Sequence, residues 1–227
     1  MKKEILPVHL GFIVDGNRRW AKERGLPTLE GHRRGLSRVE KVADACFKRG
    51  VKFVSFFLFS TDNWERSREE VKYLMRLTLL NVKRLAKKML KNNIKLLVLG
   101  GRERVPKEVM VAVDEGAAMT ADCTGGTLGM CFNYGGRDEI VQAARKLAEQ
   151  SVEITEESMT ESLYCPEIPD CDMIVRTSGE QRISGFMLWR AAYSEFLFLD
   201  KKWPDMGEED VDGILAEYAR RNRRFGK

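Results

Sequence analysis

Short apolar runs alternate along the chain with longer stretches of helical spacing. Residues 8–14 (VHLGFIV) are apolar and stop at Asp15-Gly16-Asn17, and a basic, helix-favouring stretch follows, which predicts strand, loop and helix. Residues 33–49 set Leu36, Val39, Val42, Ala43, Cys46 and Phe47 near one helical face, and Gly50 supplies a stop. The run 51–59 (VKFVSFFLF) is apolar almost without interruption, as in a strand covered on both faces. A long helix is predicted over 68–92, a strand over 94–99, a helix from about Pro106, a strand over 127–132 and a helix over 137–149. Strands at 173–175 and 196–199 and a last helix over 208–222 complete the pattern, with 151–169 as a helix-bearing excursion. Strands alternating with helices on short connections predict an α/β fold, a central, mostly parallel sheet flanked by helices.

Composition narrows this to one domain spanning residues 1–227, since 227 residues with 43% hydrophobic content support one well-buried core. The net charge of +5 suits anionic partners, but it is spread too evenly to point to nucleic acid. The aromatic residues of the run FVSFFLF, moreover, fall in a core-like strand and are not interleaved with basic ones on a surface. No apolar run reaches the roughly 20 residues of a membrane span, and the first residues lead straight into a strand, so a cytoplasmic protein is expected. Five cysteines without a CxxC pair read as reduced thiols, mostly buried.

Ligands of an open parallel sheet bind beyond the carboxyl ends of its strands, and three polar clusters fall there. The first is Asp15-Gly16-Asn17-Arg18-Arg19-Trp20, with a glycine for a tight turn, two arginines as anion ligands and free N–H groups opening a helix. Taken alone, the same residues would serve as a helix cap and a solvated basic face. The second is Ser60-Thr61-Asp62-Asn63-Trp64-Glu65-Arg66, which by itself could cap the long helix. The third runs from Arg176 to Ser184, with Arg176 and Arg182 six residues apart around a glycine turn. Two guanidinium forks beside a hydroxyl match the needs of a diphosphate. Three such clusters at three strand ends together predict an anion-binding active site. No GxxxxGK[ST] loop occurs and no GxGxxG follows the first strand, which speaks against a nucleotide-binding enzyme.

The ordered motifs DGNRRWA (15–21), GH (31–32), FSTDNW with Arg66 (59–66), NYGGR (133–137) and DMIVRTSGEQRIS followed by LWRAAYSEF (172–196) resemble the cis-prenyltransferases, the undecaprenyl diphosphate synthase family. The resemblance implies condensation of isopentenyl diphosphate with an allylic prenyl diphosphate, a new cis double bond, release of diphosphate, and Mg2+ as cofactor. It assigns Asp15 as catalytic aspartate and metal ligand, and Asn63 as a catalytic residue that orients substrate or shuttles a proton, since an amide is a poor base. Gly16, Asn17, Arg18, Arg19 and Trp20 match the allylic-substrate loop. His32, Ser60, Thr61, Asp62, Trp64 and Arg66 match further substrate positions, whereas Arg176, Arg182, Ile183 and Ser184 match the isopentenyl diphosphate site. Glu195 matches a second metal-associated acid. His9, opening a strand, reads as structural.

The resemblance also implies a homodimer, with Arg224-Phe225-Gly226 reaching toward the partner's active site, and peripheral contact with a membrane through the lipid product. One departure is Thr28, where the family commonly has an arginine; Arg24, Arg33 and Arg34 are the candidates to replace that contact. Leu58 stands where long-chain relatives often have alanine, which favours a shorter product. Leu77 and Leu80 fall off the apolar face of the long helix, so a second apolar environment is expected for them: the product tunnel that the resemblance implies, or equally a second core layer or a dimer interface. The alternative is a noncatalytic partner subunit of the same family. A trans-type synthase is disfavoured, because the chain has no DDxxD motif and alternates strands with helices.

Overall fold

The computed structural model describes residues 5–221, so Arg224-Phe225-Gly226 lies outside the described residues. Six strands form one sheet: β1 (His9–Ile13), β2 (Phe53–Ser60), β3 (Ile94–Leu99), β4 (Gly126–Tyr134), β5 (Met173–Arg176) and β6 (Glu195–Phe198), in the spatial order β3-β4-β2-β1-β5-β6. Every neighbouring pair is parallel. The helices are α1 (Asn17–Glu23), α2 (Thr28–Lys48), α3 (Arg68–Lys91), α4 (Lys107–Met119), α5 (Gly136–Glu149), α6 (Glu156–Ser162) and α7 (Glu208–Arg220). The expected elements are therefore present. The largest shift is at α2, which starts at Thr28, five residues before the expected helix, because Pro27 ends the preceding turn and leads into it.

Side-chain alternation divides β1 and β2 between two cores. Leu10, Phe12, Val54 and Phe56 meet apolar residues of α2, α3 and α7 and the indole of Trp203. Phe57, on the opposite face, packs with Phe186 and Tyr134. All five residues of β1 are buried, as expected for a strand covered on both sides. His9 is buried, with Nδ1 2.9 Å from the Pro169 carbonyl and Nε2 2.9 Å from Ser55 Oγ. The neutral ring satisfies both contacts by donating from Nδ1 and accepting the Ser55 hydroxyl at Nε2, a structural role.

A buried ion pair fixes the long excursion between β4 and β6. Arg190 Nη1 donates to Glu139 Oε1 at 2.9 Å, while its other nitrogens reach the carbonyls of Ile168 at 3.1 Å and Tyr164 at 2.8 Å. The Tyr134 hydroxyl donates to Glu139 Oε2 at 2.5 Å. Because both charges are paired and further hydrogen-bonded, removing either one would leave an uncompensated buried ion. The arrangement holds residues 183–190 against the end of β4. Cys46, Cys131 and Cys171 are buried, Cys123 and Cys165 are partly so, and all five are free thiols.

Candidate active site

Ile13, the last residue of β1, lies in register with Arg176, the last of β5. The chain leaves β1 toward β2 on one side and leaves β5 toward β6 on the other, so a crevice opens where the winding reverses. Gly16 makes the turn there with φ of 102°, and a side chain at this position would bring its Cβ to 2.8 Å from Ser178 Oγ. No side chain caps α1, so neither Asp15 nor Asn17 takes the capping role and the first N–H groups of the helix stay open. Asp15 instead accepts Gly16 N–H at 2.7 Å and Arg176 Nη2 at 2.9 Å. Arg176, 4% exposed, also donates through Nη1 to Ser184 Oγ at 2.8 Å and to the Arg182 carbonyl, while its Nε has no partner.

These groups border a cleft of about 590 Å³. Into it the structure brings Asp15, Gly16, Asn17, Arg18, Arg19, His32, Ser60, Asp62, Asn63, Arg66, Arg176, Arg182 and Ser184. Glu180, which the sequence did not single out, bridges Arg19 at 2.9 Å and Arg182 at 2.5 Å. Arg182 foremost, with Arg19, holds the Glu180 carboxyl below its ordinary value. Asn63 Oδ1 accepts the Ser60 N–H at 3.2 Å, which fixes the amide within the 3₁₀ turn Thr61–Glu65. Capping of α3 falls to Ser67, whose hydroxyl accepts Glu70 N–H at 3.3 Å.

His32 Nε2 lies 3.0 Å from Glu70 Oε1, and Arg66 Nη1 reaches the same oxygen at 3.1 Å. Burial lowers the His32 pKa, with Arg66 and Arg18 acting in the same direction and Glu70 opposing them. The neutral ring therefore gives its one N–H to Glu70, and a donor role toward diphosphate would require a second proton. Glu70 was a second residue unmarked in the sequence; the i,i+4 spacing from Arg66 was its available signal.

Five expected site residues lie elsewhere. Trp20 is buried, donates Nε1–H to Asp205 at 2.6 Å and carries Arg24 over its ring. Trp64 donates to Asn133 Oδ1 at 2.7 Å and meets Phe59 edge-on. Thr61 abuts Gly135, where an added Cβ would lie 2.6 Å from its hydroxyl, and Ile183 packs on the core around Phe186. Glu195 pairs across the sheet with Met173, itself level with Leu10, and its carboxylate takes Arg221 at 2.9 Å. Ile13 ends β1 three residues past Leu10, about 10 Å along the strand, and Asp15 lies beyond it in the turn, two strands away from β6, so within one subunit Glu195 and Asp15 are too far apart to share a metal ion. Of the candidates to replace an arginine at Thr28, Arg24 is bound to Asp205 and Arg33 to Glu30, and neither these nor Arg34 borders the cleft.

Among the described residues no three His, Cys, Asp or Glu side chains cluster as a metal cage. A dication at Asp15 would have to take its remaining oxygens from water and diphosphate, the ordinary situation of Mg2+ at phosphate sites, so the donor set fits that ion.

The cleft adjoins a narrow apolar slot of about 70 Å³ between α2, α3 and the sheet. Val14, Asn17, His32, Leu58 and Leu74 border both spaces. Of the two leucines off the apolar face of α3, Leu77 lines the slot, whereas Leu80 is 65% exposed and does not.

The fold and site thus define an α/β protein with an arginine-lined cleft opening onto a slot walled mostly by apolar side chains. A family described as "Putative undecaprenyl diphosphate synthase" matches residues 13–226. An "Isoprenyl transferase" of Neisseria gonorrhoeae is 43% identical over all of this chain and 92% of the relative, and one of Chromobacterium violaceum is 46% identical over 97% and 88%. Among solved structures, lavandulyl diphosphate synthase from Lavandula x intermedia, in complex with dimethylallyl diphosphate, superposes with a TM-score of 0.95 at 32% identity, covering 99% of this chain and all of that one. A probable undecaprenyl diphosphate synthase from Campylobacter jejuni gives 0.84 at 28%, over 99% of this chain and all of that one. The chain belongs to the undecaprenyl diphosphate synthase family of cis-prenyltransferases.

Proposed function

We propose that the protein is a Mg2+-dependent cis-prenyltransferase that joins isopentenyl diphosphate to an allylic prenyl diphosphate and makes a short cis-prenyl product. The observation carrying this reading is the continuity of the two spaces. Among the described residues, five arginines (Arg18, Arg19, Arg66, Arg176 and Arg182) face a cleft whose floor leads past Leu58 and Leu74 into hydrocarbon.

In the reaction a bond forms between the terminal methylene of isopentenyl diphosphate and C1 of the allyl group. The allylic C1–O bond breaks, and a proton leaves C2 of the former isopentenyl unit. Arg18 and Arg19, with the open N–H groups of α1, hold the allylic diphosphate; Arg176, Arg182 and Ser184 hold the isopentenyl diphosphate. Each diphosphate would displace a carboxylate now paired with these arginines, Glu180 above all. Bound at Asp15, Mg2+ would neutralise charge on the departing diphosphate. Asn63 orients the substrates, and a diphosphate oxygen takes the proton.

The narrow slot, with Leu58 at its entrance, supports a short product. Lavandulyl diphosphate synthase, a structural match at a TM-score of 0.95, is described in complex with dimethylallyl diphosphate, an allylic diphosphate of the kind this reading takes as primer. A homodimer belongs to the same reading: β6 is a sheet edge whose Phe196 and Phe198 rings stack at 6.3 Å with Phe196 exposed, an edge that calls for cover. So does a cytoplasmic location with peripheral membrane contact through the product; no helix among the described residues is long and apolar enough to cross a membrane. Incubating the purified protein with labelled isopentenyl diphosphate, dimethylallyl diphosphate and Mg2+ should give chain-extended diphosphates, abolished by chelation. A protein folded and dimeric but inert with every allylic primer would instead be the noncatalytic subunit.

A further inference from the structure

Two groups of ion pairs join α2 to α3, and the slot runs between them. At the cleft end His32 and Arg66 meet Glu70. Eight residues further along α2, about 12 Å at 1.5 Å per residue, Glu40 accepts Arg84 Nη1 at 2.8 Å and Lys88 Nζ at 2.7 Å. Lys88 also pairs with Asp44. Glu40 and Arg84 themselves border the slot, next to Asn81 and Thr78, so its wall changes there from leucine to charge.

The two members of the pair differ in freedom. The Arg84 side chain is 57% exposed and can swing into water, whereas that of Glu40 is 17% exposed and is held from two sides. Burial works against its charge, yet Lys88 and Arg84 outweigh it and hold the Glu40 carboxyl below its ordinary value. A hydrocarbon chain pushed past Val39 would strip water from this carboxylate and part it from its cations, leaving a charge against methylenes.

We propose that Glu40, clamped by Arg84 and Lys88, is a specificity-determining residue that ends the hydrocarbon slot and so sets product length from the end opposite Leu58. The inference rests on the prenyltransferase reading for its substrate. Replacing Glu40 leaves the Lys88–Asp44 pair to hold the helices together, so the variants should fold.

The test uses n-alkyl diphosphates of increasing length, with binding followed by titration calorimetry, which needs no turnover. In the wild type, affinity should rise by about fourfold per added methylene and then level off. In Glu40→Ala the rise should continue to longer chains, with Glu40→Gln intermediate and Arg84→Ala close to wild type, because Lys88 still clamps the carboxylate. In turnover, Glu40→Ala should add at least one isoprene unit to the product. A levelling point and product length unchanged in both Glu40 variants would overturn the proposal, as would lengthening by Arg84→Ala alone. Failure of every alkyl diphosphate to bind the wild type would overturn the prenyltransferase reading and the inference with it, whereas binding with an unmoved levelling point overturns the inference only.

Discussion

The cleft and the slot meet at Val14, Asn17, His32, Leu58 and Leu74, but they are built by opposite means. Loops at strand ends make the cleft, and most charged groups there already have a partner: Asp15 with Arg176, Glu180 with Arg19 and Arg182, and His32 and Arg66 with Glu70. Helix faces and the sheet make the slot, and up to its charged end at Glu40 and Arg84 the wall needs no partner when empty, because leucine, valine and phenylalanine simply stay close. A site for diphosphate must keep its arginines satisfied before substrate arrives, and carboxylates are the available stand-ins. A site for hydrocarbon needs only that its walls not collapse. The first design should respond strongly to loss of a single charge, the second weakly to any one methyl group.

The sharpest way to break this contrast is Asp15→Asn. It keeps an oxygen for Arg176 and removes the charge proposed to hold the metal ion. Turnover should fall roughly 10²–10³-fold, as when one electrostatic stabiliser of a transition state is lost, while the melting temperature moves little. Near-normal turnover would mean that the cleft is not where the chemistry occurs.

Acid gives the next largest effect, and it acts beneath both regions. Burial, offset in part by the Pro169 carbonyl, lowers the His9 pKa from 6.5 to about 4. As pH falls through that window the unfolded chain takes up a proton that the native chain refuses, so stability is lost, by about 3 kcal/mol at pH 4. His32, shifted in the same direction, adds to the loss. Urea unfolding at pH 7 and pH 4.5 should show a smaller acid loss in His9→Gln than in the wild type; equal losses would remove His9 from the account.

Arg182→Ala should be milder, since its guanidinium is exposed and holds only Glu180 in the empty cleft. One charge-assisted contact of the lower range corresponds to roughly a tenfold rise in KM, expected for isopentenyl diphosphate and not for the allylic primer. Equal rises for both substrates would show that the two diphosphates are not divided between the arginines as proposed.

The fold was legible in the sequence because apolar period and punctuation agree along nearly the whole chain, so all six strands appear where the pattern puts them. Much of the cleft was legible too: Asp15, Arg176, Arg182 and Ser184 sit at strand ends, and parallel topology alone brings those ends together. Side-chain direction was not. Trp20 and Trp64 lie in the right loops, but each indole N–H finds an acceptor remote in sequence, Asp205 and Asn133, and turns away from the cleft. Glu195 lies in a motif beside the others, yet strand register sets it at the far end of the sheet. On α3, Leu77 and Leu80 are three residues apart and sequence treated them alike; only the place of α2 decides that one lines the slot and the other meets solvent.

The seating of Asn17 on α2 bears on how the molecule can breathe. A Cβ at Gly31 would lie 2.1 Å from the Asn17 carbonyl oxygen, and one at Gly35 would lie 2.2 Å from its Oδ1, so the two bare positions let α1 rest directly on the α2 backbone. The first strand's loop and α2 therefore travel as one piece. The seam between α2 and α3 is made differently, by apolar side chains such as Val39, Val42, Leu85 and Met89 with ion pairs at its rim. Salt therefore acts on the two contacts unequally: it screens the exposed Arg84 end of the α2–α3 seam and leaves the backbone seat of α1 on α2 untouched.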